Sequence, residues 1–556
     1  MLKIKALAFG LLLLLFIGCD PDAGIPSLYK HYEGIFEIGA AIEPEQFERG
    51  GKEKSLLVDH FSSVTPENVM KWISIHPEED KWNFGPADWL VEFALKEGKK
   101  IRGHCLIWHH PDQVADWMFT DESGNPASRE LMLKRMEKHI KTVVGRYKGK
   151  VYAWDVVNEP IDTKTDDQLR HTKWYELIGP DYIEYAFRFA HEADPDALLF
   201  INEDNTQETK QMNALIKLIS NLKAKGVPIH GLGMEMHITI ARPTIEAIEK
   251  SIQKYRELGI VLHVTELDMS LYAQEFETLT EPPAAYLIHQ AHRYKELFNV
   301  FVKNKDLIKN VTFWGYHDGH TWLRHFPKER LDWPLLFDDK FKVKYAYWAL
   351  VKPESLPADD AWTQKKKPAQ VYSASKGTPK IDGEVDAIWS KAPEVSTEVF
   401  ALGSSGAKAK VRLLWDPNSI YVLAEITDPV LSDKASQAHE KDSFEVFIDE
   451  NNGKTSSFEE DDYQLRVNYK NAKSWLGSIK ENDFTSAVKI TDTGYRVEIA
   501  IKLKTIKATG GSQLGLELQV NDDNGAGKRT AITKWNDPTN ESWRDPSGWG
   551  ILELVE

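Results

Sequence analysis

Cysteine is nearly absent: Cys19 and Cys105 are the only two in 556 residues. That excludes a disulfide framework of the kind that staples small secreted domains, and no cysteine cluster offers a metal site. Basic charge is also scarce. With 69 Lys and Arg against 85 Asp and Glu, the formal net charge is -16. A nucleic-acid partner is thereby excluded, because a polyanion is bound by basic surface that displaces its counterions. The apolar run at the start, residues 6–17, is too short to span a bilayer comfortably. What is present is enough apolar material, 42% of residues, for real cores, in a chain long enough for two or three domains. The 18 Trp, 19 Tyr and 23 Phe serve cores, and flat rings also stack on sugar faces. Composition does not choose between the two.

The first residues read as a targeting segment: Lys3 and Lys5, the apolar run, then Phe16-Ile17-Gly18-Cys19. This ending resembles the lipobox of bacterial lipoproteins, which implies cleavage after residue 18 and a lipid on Cys19. The resemblance predicts an exported lipoprotein, periplasmic or on the cell surface, that meets a membrane only through this anchor. Residues 19–30 read as a tether. With Cys19 lipidated no internal disulfide is available. Cys105, in an apolar strand, is expected to be a small buried residue rather than a nucleophile.

Eight short apolar segments follow, at residues 35–42, 61–65, 100–108, 151–158, 197–202, 229–237, 260–266 and 310–316. Amphipathic stretches of helical period separate most of them, as at 87–98, 129–147, 180–193, 209–226, 243–258 and 283–303. Strand-then-helix repeated eight times predicts an α/β fold, a (β/α)₈ TIM barrel, over residues 31–351. The strands run apolar and then end in polar groups: Glu67-Asn68, His104, Asn158-Glu159, Asn202-Glu203, Glu235 with His237, and Glu266 with Asp268. A barrel site is built from the carboxyl ends of its strands, so these residues are expected to converge.

A Lys- and Pro-rich linker occupies 352–370. From 371 to 556 the pattern changes to period-two strands, at 411–415, 419–426, 443–449, 463–468, 494–501 and 514–521. Asn451-Asn452-Gly453 and Asp523-Asn524-Gly525 mark turns between them. This predicts an antiparallel β-sandwich.

Two strand-end carboxyls stand out: Glu159, in Trp154-Asp155-Val156-Val157-Asn158-Glu159-Pro160, and Glu266, in Val264-Thr265-Glu266-Leu267-Asp268. Retaining glycoside hydrolysis uses two carboxyls about 5–5.5 Å apart, a distance that strand ends facing across a barrel mouth can supply. Together with Thr65-Pro66-Glu67-Asn68-Val69-Met70-Lys71-Trp72, Arg102-Gly103-His104-Cys105-Leu106-Ile107-Trp108-His109, and Trp314-Gly315 with Asp318 and Trp322, these segments resemble glycoside hydrolase family 10, the barrel-shaped endo-β-1,4-xylanases, over residues 25–350. The resemblance implies xylan or xylo-oligosaccharides as substrate, no cofactor, Glu159 as acid/base and Glu266 as nucleophile. It further implies that Asn158 bonds the sugar 2-hydroxyl and that His237 and Asp268 orient the nucleophile. Glu67, Asn68 and Lys71 match polar contacts on the non-reducing side, and His104, Trp108, Trp314 and Trp322 match cleft walls. Another β-1,4-glycan, a decorated xylan, or a glycan-capturing lipoprotein without catalysis remain as alternatives.

Three departures bear on specificity. Glu235 stands where the family commonly has Gln, and a carboxylate there adds negative charge near Glu266. Asn202-Glu203-Asp204-Asn205 lacks an aromatic found there in the family, on the leaving-group side. His110-Pro111 replaces a polar pair.

Residues 371–556 resemble a family 9 carbohydrate-binding module, through Ile381-Asp382-Gly383-Glu384, Asp442-Ser443-Phe444-Glu445-Val446-Phe447-Ile448-Asp449 and Trp543-Arg544-Asp545-Pro546-Ser547. The resemblance makes Trp543 one sugar-stacking ring, with His439 where a second aromatic is expected. A purely structural sandwich is the other reading. Acidic loops in this domain offer oxygen ligands for a structural calcium, without fixing a site.

Overall fold

The computed structural model describes residues 24–47, 51–110, 113–273, 278–359, 369–455 and 457–556. The signal segment, Cys19, Pro111 and residues 360–368 of the linker lie outside the described residues.

Nine parallel strands build the first domain: β1 (Glu37–Ile42), β2 (Ser63–Pro66), β3 (Lys100–Gly103), β4 (Val151–Asn158), β5 (Leu198–Glu203), β6 (Gly231–Met234), β7 (His237–Thr239), β8 (Val261–Ser270) and β9 (Ile308–Phe313). Their order is β6-β5-β4-β3-β2-β1-β9-β8, and β6 also pairs with β8, which closes the ring. β7 continues β6 after a break and pairs with β8 from His237 opposite Asp268. The result is an eight-stranded parallel barrel. The break divides the predicted strand at 229–237, because Glu235 and Met236 leave the ladder.

Helix faces follow from spacing. In the helix Arg129–Arg146 the buried positions are Met132, Arg135, Met136, His139, Ile140, Val143 and Val144, a stripe of period 3.6. Ser128 caps it by accepting the N–H of Leu131. The barrel interior is polar in its middle. Arg102 and Asp155 form a buried two-pronged ion pair, and Asn310 donates to Ser63 Oγ (3.0 Å) and to the Tyr152 hydroxyl (3.1 Å). Removing one partner of such a pair typically costs about 3–5 kcal/mol, because the other charge is left buried. Glycine makes room where strands carry bulk inward: a Cβ on Gly103 would lie 2.2 Å from the Trp154 ring.

The second domain is a curled β-sheet folded into a sandwich. Gly477-to-Lys473, Asp462–Asn468, Ser443–Asp449, Gln513–Asp522 and Gly550–Val555 form one wall. Lys408–Asp416, Ser419–Thr427, Gly494–Lys502 and Phe484–Thr491 form the other. Pairing is antiparallel throughout both walls. Val371–Lys376 joins them and runs parallel to a neighbour on each side, a feature that strand periodicity does not reveal. Val411, Leu413, Val446, Ile448, Val497 and Leu518 fill the space between. Among the described residues, no helix is long and apolar enough to cross a membrane.

Candidate active site

Glu159 is the first residue beyond β4. Its backbone is left-handed (φ 49°), which turns the chain sharply before Pro160. Its N–H donates to Asn202 O (2.8 Å) and its carbonyl accepts from Arg170 Nε (3.0 Å), so neighbours on both sides hold the turn. Glu266 lies within β8, 5% exposed. His237 Nε2 approaches Glu266 Oε2 at 3.2 Å, and His237 Nδ1 lies 2.9 Å from Asp268 Oδ2. Trp322 Nε1 donates to that same Asp268 oxygen at 2.8 Å.

One amide, Asn202, joins residues of β4, β5 and β8 with Glu235 from the break between β6 and β7. Its Nδ2 lies 2.8 Å from Glu266 Oε1, 2.7 Å from Glu235 Oε1 and 2.8 Å from Asn158 Oδ1. Its Oδ1 accepts from Thr265 Oγ1 at 2.6 Å. Asn158 Nδ2 in turn reaches Glu159 Oε1 at 3.2 Å. Gly233 makes this possible: a Cβ there would fall 2.1 Å from Asn202 Oδ1.

These surroundings separate the two carboxyls electrically. Burial, with the negative charges of Asp204 and Glu266, raises Glu159 to about 7. Burial opposes ionisation of Glu266 as well, but the His237 hydrogen bond and the charges of His104, His237 and Lys71 outweigh it and hold Glu266 at about 2. Burial also lowers His237; Asp268 and Glu266 overcome that and lift it to about 10. Near neutral pH the arrangement therefore offers one protonated and one ionised carboxyl, the division that acid-assisted displacement requires. Glu235 departs from the expectation of added charge. Burial first, then repulsion from Glu266 and Glu159, pushes its carboxyl well above the usual range, so it sits there neutral.

The remaining predicted residues line the same mouth. His104 Nδ1 lies 3.0 Å from Asp155 Oδ2 and 4.0 Å from Glu266 Oε1, and its ring meets Trp314 edge-on at 5.2 Å. Trp322 packs on His237 at 4.7 Å. Lys71 Nζ donates to Asn68 Oδ1 (2.9 Å) and sits over the Trp108 ring at 4.9 Å. Burial raises Glu67, with Lys71 opposing and Glu266 adding to the shift. His110 packs on Trp108 at 5.3 Å. Cys105 is 2% exposed, and burial pushes its thiol up. Trp543 belongs to the second domain and is not part of this cluster.

Sequence reasoning placed Asn202 among the converging strand-end residues without giving it a role, and passed over Asp155 and Glu43 as site residues. Glu43, raised to about 7 by burial and by Glu67, accepts hydrogen bonds from Asn68. The signal for Asn202 was its place at the end of β5. Asp155 lies in β4 two residues before Val157, on the inward side.

Residues 27–353 match the model of glycosyl hydrolase family 10. The chain belongs to that family. Residues 381–556 match the carbohydrate family 9 binding domain-like model. An endo-1,4-beta-xylanase A of Thermotoga maritima is 36% identical over 97% of this chain. The alignment covers 66% of that relative's length, so the family 10 chain described here spans slightly less than two thirds of it. An endo-1,4-beta-xylanase B of Paenibacillus barcinonensis is 44% identical over 59% of this chain and 98% of its own length. A solved GH10 structure from the same organism superposes with a TM-score of 0.58 at 43% identity, covering 60% of this chain and 99% of that one.

A second acidic group lies in the sandwich. Oxygens of Asp428, Asp442 and Asp522, all buried, fall within 4.8 Å of one another. Burial raises Asp428 to about 6 and Asp442 to about 7, and Asp428 Oδ2 has no hydrogen-bond partner. Three hard oxygen donors, with an unpartnered buried oxygen on one of them, Asp428, suit a calcium ion.

Proposed function

We propose that this protein is an endo-1,4-β-xylanase that cleaves internal xylosidic bonds with retention of configuration. The observation that supports it best is the contrast between Glu159, near its protonation midpoint at neutral pH, and Glu266, held ionised by His237 and Asp268. In this reading Glu159 gives its proton to the glycosidic oxygen as that bond breaks, while Glu266 forms a bond to the anomeric carbon. Loss of the proton leaves Glu159 as a carboxylate, which then takes a proton from water as the water displaces Glu266. Asn158, fixed by Asn202, is positioned to hold the sugar 2-hydroxyl. Glu67, Asn68, Lys71 and Trp108 bind the sugar on the glycone side, and Trp314 and Trp322 close the wall beside Glu266. Neutral Glu235 contributes hydrogen bonding without charge. Product analysis on xylan and on cellulose tests this: short xylo-oligosaccharides from xylan with little release from cellulose support it, and cellulose as the better substrate overturns the substrate assignment.

The family 9-like domain is proposed to bind sugar through Trp543, and Asp428, Asp442 and Asp522 to hold a structural calcium, with no cofactor in the reaction. Export and lipidation of Cys19 complete the reading. Cys19→Ser is expected to move the protein from the membrane to the soluble fraction; a wild-type chain lacking lipid by mass spectrometry would overturn it.

A further inference from the structure

Trp543 is the most exposed tryptophan among the described residues, at 49%. The Arg544 guanidinium lies over its ring at 5.2 Å and donates from Nε to Glu541 Oε2 at 2.6 Å. That same oxygen accepts from Arg242 Nη1, 2.8 Å away, across the boundary between the two domains. The side chains of the pair are only 20% and 8% exposed, so solvent screens it far less than a surface ion pair. Lys250 adds a second contact to Glu459 at 3.0 Å, and Ser457 hydrogen-bonds Glu208.

The barrel side of this contact is rigid and close to the chemistry. Arg242 follows β7, and Thr239 fixes the turn: its Oγ1 accepts the N–H groups of Ala241 and Arg242, and its own N–H donates to Arg242 O. Arg242 is five positions on from His237, at most ~18 Å of chain, and Trp543 two positions on from Glu541, at most ~7 Å. Glu208 lies four residues beyond Asp204, whose charge acts on Glu159. The second domain therefore meets the barrel at the segments that follow β5 and β7, whose strand ends carry groups acting on Glu159 and on Glu266.

We infer that the two domains share one substrate chain: a xylan strand lying across Glu159 continues onto Trp543, and the Arg242–Glu541 ion pair holds the two surfaces in register. This goes beyond two independent sugar sites and rests on the xylanase reading above. Fixed geometry makes the second contact intramolecular and raises its effective concentration, an advantage that a loosely tethered module loses.

The test compares kcat/KM on long-chain xylan with kcat/KM on an aryl β-xylobioside too short to reach Trp543, using the full chain. Trp543→Ala, Arg242→Glu and Glu541→Arg are each expected to lower the xylan-to-xylobioside ratio by ~10-fold or more, as loss of an intramolecular second contact implies. Xylobioside hydrolysis should stay near wild type in the Arg242 and Glu541 variants. Their melting temperature falls with the loss of a partly buried pair, but the transition should stay cooperative and above the assay temperature, which separates loss of coupling from loss of fold. A ratio that falls only with Trp543→Ala overturns the inference in favour of an independent module. An unchanged ratio in every variant overturns it outright. Wild-type protein inactive on both substrates would instead overturn the xylanase reading.

Discussion

Replacing Asp268 by Asn keeps the size of the side chain and removes one charge, so it isolates the electrostatics of the nucleophile. Asp268 Oδ2 lies 2.9 Å from His237 Nδ1, which places the charge centres ~4 Å apart. At an effective dielectric of ~20 that attraction is about 4 kcal/mol, or about three pH units. His237 is then expected to titrate near ~7 rather than about 10. The sign is fixed: a His pKa raised by folding contributes stability that is complete below ~6.5 and is lost as pH rises through about 10. In the variant that contribution largely disappears, and above pH ~7 the cation 3.2 Å from Glu266 disappears with it. Glu266 itself titrates at about 2, where His237 is protonated in the variant as in the wild type, so its own midpoint should barely move. Measured as kcat/KM against pH on an aryl xylobioside, Asp268→Asn is expected to leave the acid limb in place. Its alkaline limb should steepen, because His237 deprotonates in the same range as Glu159. An alkaline limb with the wild-type slope and position would refute the reasoning.

Other outcomes follow from the same network. Glu266→Ala should lower kcat by ~10³-fold or more with little change in melting temperature, since the bond-forming carboxylate is gone; steady-state kinetics and calorimetry check it. Glu235→Gln should leave both limbs of the pH profile within ~0.3 unit, because burial already keeps Glu235 neutral. A shifted limb would show an ionised Glu235. Gly233→Ala should cut kcat by ~10-fold or more through displacement of Asn202, whose Oδ1 occupies the space a Cβ needs; a crystal structure of the variant with Asn202 in place would contradict this. Calcium should raise the melting temperature of the wild type, by linkage, and not that of Asp522→Asn.

The barrel was legible because its strands are buried on both faces and its helices carry a clear 3.6-residue stripe. The helix Arg129–Arg146 ends within a residue of the run at 129–147, and β4 coincides with the run at 151–158. Local patterning failed where pairing partners are distant. Nothing near Glu235 in sequence marks the break between β6 and β7, which follows from the pairing of His237 with Asp268. Likewise, Val371–Lys376 resembles any other edge of a β-run, while its parallel neighbours come from residues 414–415 and 551–555. Strand-end polar residues gave most of the site, since the fold itself brings those ends together. The role of Asn202 escaped because it depends on three partners 33 to 64 positions away. Protonation states escaped for a related reason. The sequence supplies Glu235 as a charge, and only its burial beside Glu266 shows why that charge is absent.

The central claim is double displacement by Glu159 and Glu266, and the most direct measurement of it is proton NMR of the first products released from xylan, before mutarotation. The account predicts new reducing ends that appear as the β-anomer and then equilibrate to the mixture. Products that appear first as the α-anomer would contradict it, since water would then have attacked without a glycosyl-enzyme intermediate on Glu266.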